Sequence, residues 1–278
     1  TDATVKLINR FQKTSQLKVK LLKHTGNRAV GRNFGIKKAV GQGIAVTDAG
    51  CILDKHWFKL ITQPLVKNKA DVVAGFYRMT TDHLFTHCSA LFVGVTSHNI
   101  DIKTFLPSSR SIAFTKKAWA KAGGYPENLD YAEDLIFAQK IKDHQALKMI
   151  VQPKAVVDWT PPQNLWQFFS SIVKYTLGNV QANYQRHLIK NYLVVIRYCL
   201  AASFAYLFSP VIILGLIPAY FLYTSIKFRA HLRYPLAPNL LFILQLIADL
   251  GVVTGLALGL VKLWRAPTLQ ARPRRAGN

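Results

Sequence analysis

Hydrophobic and polar positions in the first 190 residues predict strands and helices in alternation. Short apolar runs bounded by turn residues predict three strands, at 43–47, 70–77 and 111–114. The stretches around them mix apolar and polar residues and predict helices at 33–40, 53–67, 116–122 and 131–141. Asp54 is the expected N-cap of the second of these helices. Strands that alternate with helices are typical of an α/β fold.

The last third of the chain has a different pattern, because two long stretches are almost free of charge. Residues 198–226 contain no Asp, Glu, Lys or Arg, and residues 234–261 contain only Asp249. As a helix, with about 1.5 Å of rise per residue, each stretch exceeds the roughly 30 Å of bilayer hydrocarbon. We therefore expect two membrane spans. The alternative is a pair of buried helices in a soluble core.

Flanking residues suggest how these stretches are arranged. Lys227, Arg229 and Arg233 lie between them, and a more basic segment follows the second stretch, with Lys262, Arg265, Arg272, Arg274 and Arg275. Two spans place that segment on the same side as residues 1–190, which the positive-inside rule favours. Pro210 and Pro218 leave open a hairpin within the first stretch, which would add a third span. In the second stretch the glycines at 251, 255 and 259 favour close helix packing or a re-entrant segment.

The charge balance narrows the classes of function. The chain has 36 Lys and Arg against 13 Asp and Glu, a formal charge of +23. A hydrophobic fraction of 50% excludes a disordered polycation, and three cysteines exclude a disulfide framework. A nucleic-acid-binding protein does not fit the uncharged stretches. We therefore expect no nucleic-acid partner and assign much of the charge to an anionic membrane surface.

Against this basic background a few polar groups stand out. Asp48 follows the first predicted strand and opens a turn, and ligands of open α/β sheets gather at the carboxyl ends of strands. Asp48 is therefore a candidate ligand-binding residue, with a turn or N-cap role as the alternative. Both glutamates of the chain, Glu127 and Glu133, lie in one acidic stretch with Asp130 and Asp134. The polar run 108–111 either meets a phosphate or an acceptor, or is a polar loop.

Ordered motifs span about residues 28–137. The first comprises Gly31-Arg32-Asn33-Phe34-Gly35-Ile36, Ala39-Val40-Gly41 and Ile44-Ala45-Val46-Thr47-Asp48-Ala49-Gly50. It resembles the "ARN-G---A-G--I---D-D" block of family 2 glycosyltransferases, which have the GT-A fold, a Rossmann-like nucleotide-diphospho-sugar transferase domain with a mixed sheet. The second comprises Gly123-Gly124-Tyr125-Pro126-Glu127 and Glu133-Asp134, and it is similar to the family's "GG(Y/F)-E…ED" block. Thr1-Asp2-Ala3-Thr4 resembles its "STDAT" segment, which implies that the chain begins after the family's first two strands.

The resemblance implies an inverting glycosyltransferase and assigns roles to several residues. Asp134 is implied as the general base for the acceptor hydroxyl, and an acidic helix cap is the alternative. Arg32 and Asn33 are implied to hold the nucleotide, or else they form a solvated helix start. Glu133 is either an acceptor contact or a structural partner.

The resemblance also implies a cofactor and a further diphosphate contact. Asp48 would hold a divalent cation, Mg²⁺ or Mn²⁺, that neutralises the leaving diphosphate. Gly50 replaces the second Asp of the family's DxD pattern, so the cation would rest on Asp48, water and donor phosphates. Residues 168–179 are loosely similar to a "Q--RW" segment, in which Lys174 would contact the diphosphate. The alternative for this segment is an amphipathic helix lying on the membrane.

These observations predict four parts of the chain. We expect a GT-A domain without its first strands at 1–158, an interfacial amphipathic segment at 159–191, a transmembrane region of two or three spans at 192–265, and a basic tail at 266–278. The expected protein is a bacterial-type hexosyltransferase of the inner membrane, multi-pass, with its catalytic domain in the cytoplasm. Its expected partners are a nucleotide-sugar donor, membrane lipids, and a lipid-linked or polysaccharide acceptor of cell-envelope polysaccharide biosynthesis. A catalytically inactive family member and a non-enzymatic membrane protein are the alternatives.

Overall fold

The computed structural model describes residues 3–94, 104–209, 211–232 and 234–265. Thr1, Asp2, Pro210, Arg233 and the basic tail at 266–278 lie outside the described residues. In chain order the described elements are α1 (Thr4–Thr14), α2 (Arg28–Lys38), β1 (Gly43–Val46), β2 (Cys51–Leu53), α3 (Trp57–Val66), β3 (Val72–Met79), α4 (Leu84–Val93), β4 (Ile112–Thr115), α5 (Lys116–Lys121), α6 (Glu133–Asp143), β5 (Met149–Trp159), α7 (Leu165–Gln181), α8 (Gln185–Leu207), α9 (Ile212–Lys227) and α10 (Ala237–Arg265).

The strands form one mixed sheet in the order β1-β4-β3-β5-β2. Strands β3 and β5 pair in parallel, and all other neighbours in this sheet are antiparallel. Successive side chains of a strand point to opposite faces, so Val72 packs with α2, α5 and α6 while Val73 packs against Trp57 and Ile61 of α3. The mixed α/β sheet expected from the sequence is confirmed, with helices on both of its faces.

The three predicted strands are confirmed as β1, β3 and β4, but helix bounds differ from those expected. The helix expected at 53–67 begins only at Trp57, because residues 51–53 form β2 and pair with β5. Asp54 is not its N-cap. The Asp54 carboxylate accepts a hydrogen bond from the backbone N–H of His56 at 2.8 Å, and His56 is the cap residue.

Two other helices begin at positions that local geometry explains. The side chain of Asn27 accepts a hydrogen bond from the N–H of Val30 at 3.1 Å, so α2 begins at Arg28 rather than at residue 33. Ala132 has a left-handed backbone with φ of 62°, so α6 begins at Glu133 rather than at residue 131. Strand β5 and helix α4 were not expected from the sequence.

The C-terminal part is helical. The stretch 198–226 is not one helix, because α8 ends at Leu207 and α9 begins at Ile212. The chain is thus interrupted within this stretch, as in the hairpin that the sequence left open. Within the described ranges, α8 with 23 residues and α10 with 29 are long and apolar enough to cross a membrane. In the most apolar window of each, 11% of α8 and 44% of α10 is buried inside the protein.

Helix α10 packs lengthwise against α7. A Cβ added at Gly255 would lie 2.7 Å from the Cβ of Thr176, which is closer than side chains approach each other. The same holds at both neighbouring glycines, which face residues of α7 at the same spacing: Gly251 against Ile172, and Gly259 against Val180. Because both series ascend together, the helices run parallel. The close helix packing expected from these glycines is confirmed.

A polar cluster lies between the C-terminal helices. Asp249 of α10 is 3% exposed and accepts hydrogen bonds from Arg197 Nη2 at 2.7 Å and from the hydroxyls of Tyr198 and Tyr220. Its second oxygen accepts a hydrogen bond from Gln245 Nε2 at 3.0 Å. A buried carboxylate requires such partners, so this cluster joins α8, α9 and α10.

Two contacts connect the helical part to the loop before α6. Gly178 of α7 packs on Tyr131, where an added Cβ would lie 2.8 Å from the Tyr131 Cβ. Lys262 near the end of α10 forms an ion pair with Asp130 at 2.9 Å. The loop that precedes Glu133 and Asp134 is therefore held by both α7 and α10.

Candidate active site

Arg32 of α2 lies between two carboxylates from distant parts of the chain. Its Nη2 is 2.6 Å from Oδ1 of Asp48, which follows β1, and its Nη1 is 2.5 Å from Oε1 of Glu133, the first residue of α6. The side chains of Arg32 and Glu133 are 14% and 3% exposed, whereas that of Asp48 is 30% exposed. The structure thus brings three predicted site residues together and leaves Asp48 the most accessible of them.

The surroundings of Arg32 keep it charged. Burial alone would lower the pKa of Arg32, but its ion pairs and hydrogen bonds with Asp48 and Glu133 raise that pKa above its ordinary value. The guanidinium carbon also lies 5.4 Å from the centre of the Tyr125 ring. Burial raises the pKa of Tyr125, so its phenol stays protonated beside this cation. The site therefore has a permanent positive charge next to Asp48.

Asn33 is buried and has protein partners on both ends of its amide. Its Nδ2 donates to the carbonyl of Tyr125 and to Oε1 of Glu127, both at 2.8 Å. Its Oδ1 accepts from the N–H of Tyr125 at 3.0 Å and from Nε1 of Trp119 at 3.1 Å. These four bonds use the hydrogen-bonding capacity of the side chain, so Asn33 holds the turn at 123–126.

Asp134 lies in the first turn of α6, directly after Glu133. Its Oδ2 accepts hydrogen bonds from the hydroxyl of Ser108 at 3.1 Å and from the N–H of Ser109 at 3.4 Å. Its Oδ1 accepts from the N–H of Leu135 at 2.9 Å. The carboxylate is half-buried, so protein donors orient it while part of it remains accessible to solvent.

The segment 108–111, which the sequence left open as a phosphate or acceptor contact or as a polar loop, connects residues of the candidate site. Besides the contacts of Ser108 and Ser109 with Asp134, the hydroxyl of Ser109 donates to that of Tyr125 at 2.9 Å. Nη1 of Arg110 donates to the hydroxyl of Ser108 at 3.2 Å. The signal available in the sequence was a polar run directly before a strand, and its partners lie too far along the chain to be read from spacing.

Lys174 lies on α7, at the edge of an open cavity of about 330 Å³. The cavity is lined by Trp159, Thr160, Pro161, Pro162, Trp166, Gln167, Ser170, Ser171 and Lys174. Lys174 is exposed, and within the described residues it has no ion-pair partner. The structure therefore places Lys174 beside a cavity and outside the Arg32 cluster.

The residues around Asp48 bear on metal binding. No group of three His, Cys, Asp or Glu that could hold a metal ion occurs among the described residues. Gly50 has a φ of 85°, a left-handed conformation that glycine adopts readily. Mg²⁺ is commonly held by one or two carboxylates together with substrate phosphates and water. Asp48 therefore fits a cation shared with a phosphate ligand rather than one enclosed by the protein.

A model of a known protein family matches part of the chain. The model of the family described as "Glycosyl transferase family 2" matches residues 1–90, which include Arg32, Asn33 and Asp48. No curated protein sequence matches the chain.

Solved structures similar to the chain include a mannosyltransferase and a second protein, TarS. The mannosyltransferase PcManGT from Pyrobaculum calidifontis, solved in complex with GDP-Man and Mn²⁺, is 17% identical with a TM-score of 0.63. The match covers 94% of this chain and 75% of that chain, so it includes the C-terminal helices as well as the sheet. TarS 1-349 from S. aureus, in complex with UDP-GlcNAc, is 17% identical with a TM-score of 0.45, and the match covers 92% of this chain and 79% of that chain. The first likeness shows a GT-A-like fold.

Proposed function

The chain belongs to the family 2 glycosyltransferases, and on that premise we propose that it transfers a sugar from a nucleotide-diphosphate sugar to an acceptor hydroxyl with inversion. The observation that carries this proposal is the position of Arg32, which links Asp48 to Glu133, the neighbour of Asp134. Residues of both motifs thereby meet at one accessible site. The GDP-Man bound to PcManGT supports a nucleotide-sugar donor.

Asp134 acts as the general base in this proposal. The acceptor oxygen forms a bond to the anomeric carbon while the bond from that carbon to the diphosphate oxygen breaks, and Asp134 takes the acceptor proton. Hydrogen bonds from Ser108 and Ser109 orient Oδ2 for this task. Attack on the face opposite the leaving group inverts the anomeric configuration.

The other site residues act on the donor. Asp48 would hold a divalent cation, which when bound supplies positive charge against the leaving diphosphate. Arg32 adds a fixed positive charge on the same side, and Glu133 orients Arg32. The Mn²⁺ in PcManGT supports a cation of this kind. Lys174 would meet the donor or the acceptor at the cavity beside Trp159.

We also propose that the enzyme is attached to a membrane and acts on a lipid-linked or polysaccharide acceptor. The lengths and apolar surfaces of α8 and α10 support insertion in a bilayer. The charge of +23 supports contact with anionic lipids, where each nearby basic residue contributes on the order of 1 kcal/mol. With the catalytic domain in the cytoplasm, nucleotide sugars are available to it. Membrane pellets washed with high salt and then with detergent test this, because release by salt alone would contradict insertion.

Asp134→Asn tests the catalytic proposal. A panel of nucleotide sugars is first incubated with the purified protein, and release of nucleoside diphosphate is measured with and without Mn²⁺. We expect the variant to lose at least about 100-fold in turnover, since general bases typically contribute 10²–10⁴. Asp143→Asn is the matched control, because Asp143 ends the same helix and is exposed. Turnover that is unchanged in Asp134→Asn would refute the assignment. Donor binding without turnover in the parent protein would instead favour an inactive family member.

A further inference from the structure

Arg110 differs from Arg32 and Arg78 in its ionic contacts. Arg32 and Arg78 each pair with a carboxylate, but Arg110 forms no ion pair with any described residue. Toward the described residues its side chain donates one hydrogen bond, from Nη1 to Ser108, whereas a guanidinium carries five N–H donors. A half-buried cation with no carboxylate in direct contact is only partly compensated, so the site is suited to an anion.

Two aromatic rings hold the guanidinium in place. Its carbon lies 4.1 Å from the centre of the Trp159 ring and 5.0 Å from that of Tyr77. The two rings meet edge to face, at 87°. Stacking on an aromatic face fixes the plane of a guanidinium and leaves its edge free for a planar two-point contact with phosphate.

Arg110 lies close to the residues proposed as the general base, Asp134, and as the cation ligand, Asp48. Ser108 accepts a hydrogen bond from Arg110 and donates one to Asp134, so Arg110 is one residue removed from the proposed base. Burial would lower the pKa of Arg110, but Tyr175, Tyr77, Asp134 and Asp48 raise it. Arg110 is therefore close enough to the carboxylates of both motifs to feel their charges.

We propose that Arg110 binds the diphosphate of the donor and stabilises its charge as it leaves. This inference rests on the proposed function. An anion between Arg110 and the cation at Asp48 would supply a counter-charge in direct contact with the guanidinium. It would also lie near Lys174, because Trp159 stacks on Arg110 and lines the cavity that Lys174 borders.

The test compares binding of nucleoside diphosphates and monophosphates. UDP, GDP, ADP, CDP and dTDP are titrated calorimetrically into the parent protein with Mn²⁺, and the tightest ligand is then used with its monophosphate. Arg110→Gln should weaken binding of the diphosphate by about 10- to 100-fold, the effect of charged hydrogen bonds, and that of the monophosphate by much less. Arg110→Lys should restore part of the affinity. Arg78→Gln is the control, because Arg78 lies on β3 beside Tyr77 and is exposed.

The outcomes separate this inference from the proposed function. If the parent binds no diphosphate, both fail. If the parent binds one and Arg110→Gln binds it equally well, Arg110 does not contact the diphosphate, even if turnover falls through misplacement of Asp134. Phenylglyoxal labelling of the parent protein gives a second reading that needs no variant. The diphosphate should protect Arg110 and the monophosphate should not, and equal protection by both would also overturn the inference.

Discussion

The guanidinium of Arg32 lies 2.6 Å from the carboxylate of Asp48, and this ion pair connects helix α2 to the turn that follows strand β1. The same guanidinium is also the partner of the buried Glu133. Its structural role can be measured separately from the role in donor binding that we propose for it.

Arg32→Gln is expected to lower the free energy of unfolding by about 3 kcal/mol or more, because it leaves the carboxylate of Glu133 buried and unpaired. Chemical denaturation measures this change. Arg28→Gln is the control, since Arg28 is exposed one turn earlier on α2. A double variant, Arg32→Gln with Glu133→Gln, should recover much of the loss. Equal stability of Arg32→Gln and the parent would contradict the importance of this ion pair.

Asp48→Asn is expected to raise the Mn²⁺ concentration needed for half-maximal diphosphate binding at least about 10-fold, because it removes the one protein carboxylate that we assign to the cation. Calorimetric titration at several Mn²⁺ concentrations measures the effect. Asp54→Asn provides the comparison, since Asp54 lies in the turn before α3 and its carboxylate accepts a hydrogen bond from the N–H of His56. Identical Mn²⁺ dependence in Asp48→Asn and the parent would remove Asp48 from the cation site.

Gly255→Ala should destabilise the protein by roughly 1–3 kcal/mol, because the new methyl group would overlap Thr176 on α7. Gly215→Ala in α9 has nothing within 4 Å and should be neutral or stabilising by up to about 1 kcal/mol, since alanine favours helix. Thermal unfolding in detergent compares the two. Equal shifts in both variants would mean that α7 and α10 do not pack as described.

The thiol of Cys88 predicts a dependence of stability on alkaline pH. Cys88 is fully buried, and burial raises its pKa from 9.0 to about 11. The protonated thiol therefore favours the folded state, and this contribution is complete below pH 9.0 and is lost as the pH rises towards about 11. As the pH rises from 9.0 to about 11, the free energy of unfolding should fall in both proteins. The fall should be about 2 to 3 kcal/mol smaller in Cys88→Ala than in the parent, because the variant has no thiol to ionise. Denaturation curves at several pH values test this against Cys199→Ala, whose cysteine is exposed. Parallel declines would refute it.

Local sequence patterns predicted strands well where an apolar run was uninterrupted. β1, β3 and β4 have such runs, whereas β5 contains Gln152, Pro153 and Lys154 in its middle and was not recognised. The sheet also has a register irregularity between β3 and β5 near Gly75, opposite this interruption. Strand β5 is thus stabilised by its two neighbours and not by its own apolar pattern.

The sequence predicted those site residues that belong to a short, continuous motif, but it did not predict the contacts between distant parts of the chain. Asp48 and Asp134 were recognised from short motifs, and the structure brings their neighbourhoods together through Arg32. The roles of Asn33 and Ser108 depend on contacts with residues far along the chain, so spacing did not reveal them. Asn33 in particular was expected at the nucleotide, and the structure gives its amide four protein partners.

Because α7 and α10 pack in parallel, the loop before α6 is coupled mechanically to the C-terminal helices. Gly178 of α7 packs on Tyr131, and Lys262 of α10 forms an ion pair with Asp130, so both helices contact the segment that precedes Asp134. A tilt of α10 would therefore displace this segment and, with it, the start of α6. If α10 is inserted in a bilayer, as proposed, a change in bilayer thickness would therefore change turnover without a ligand at the proposed site.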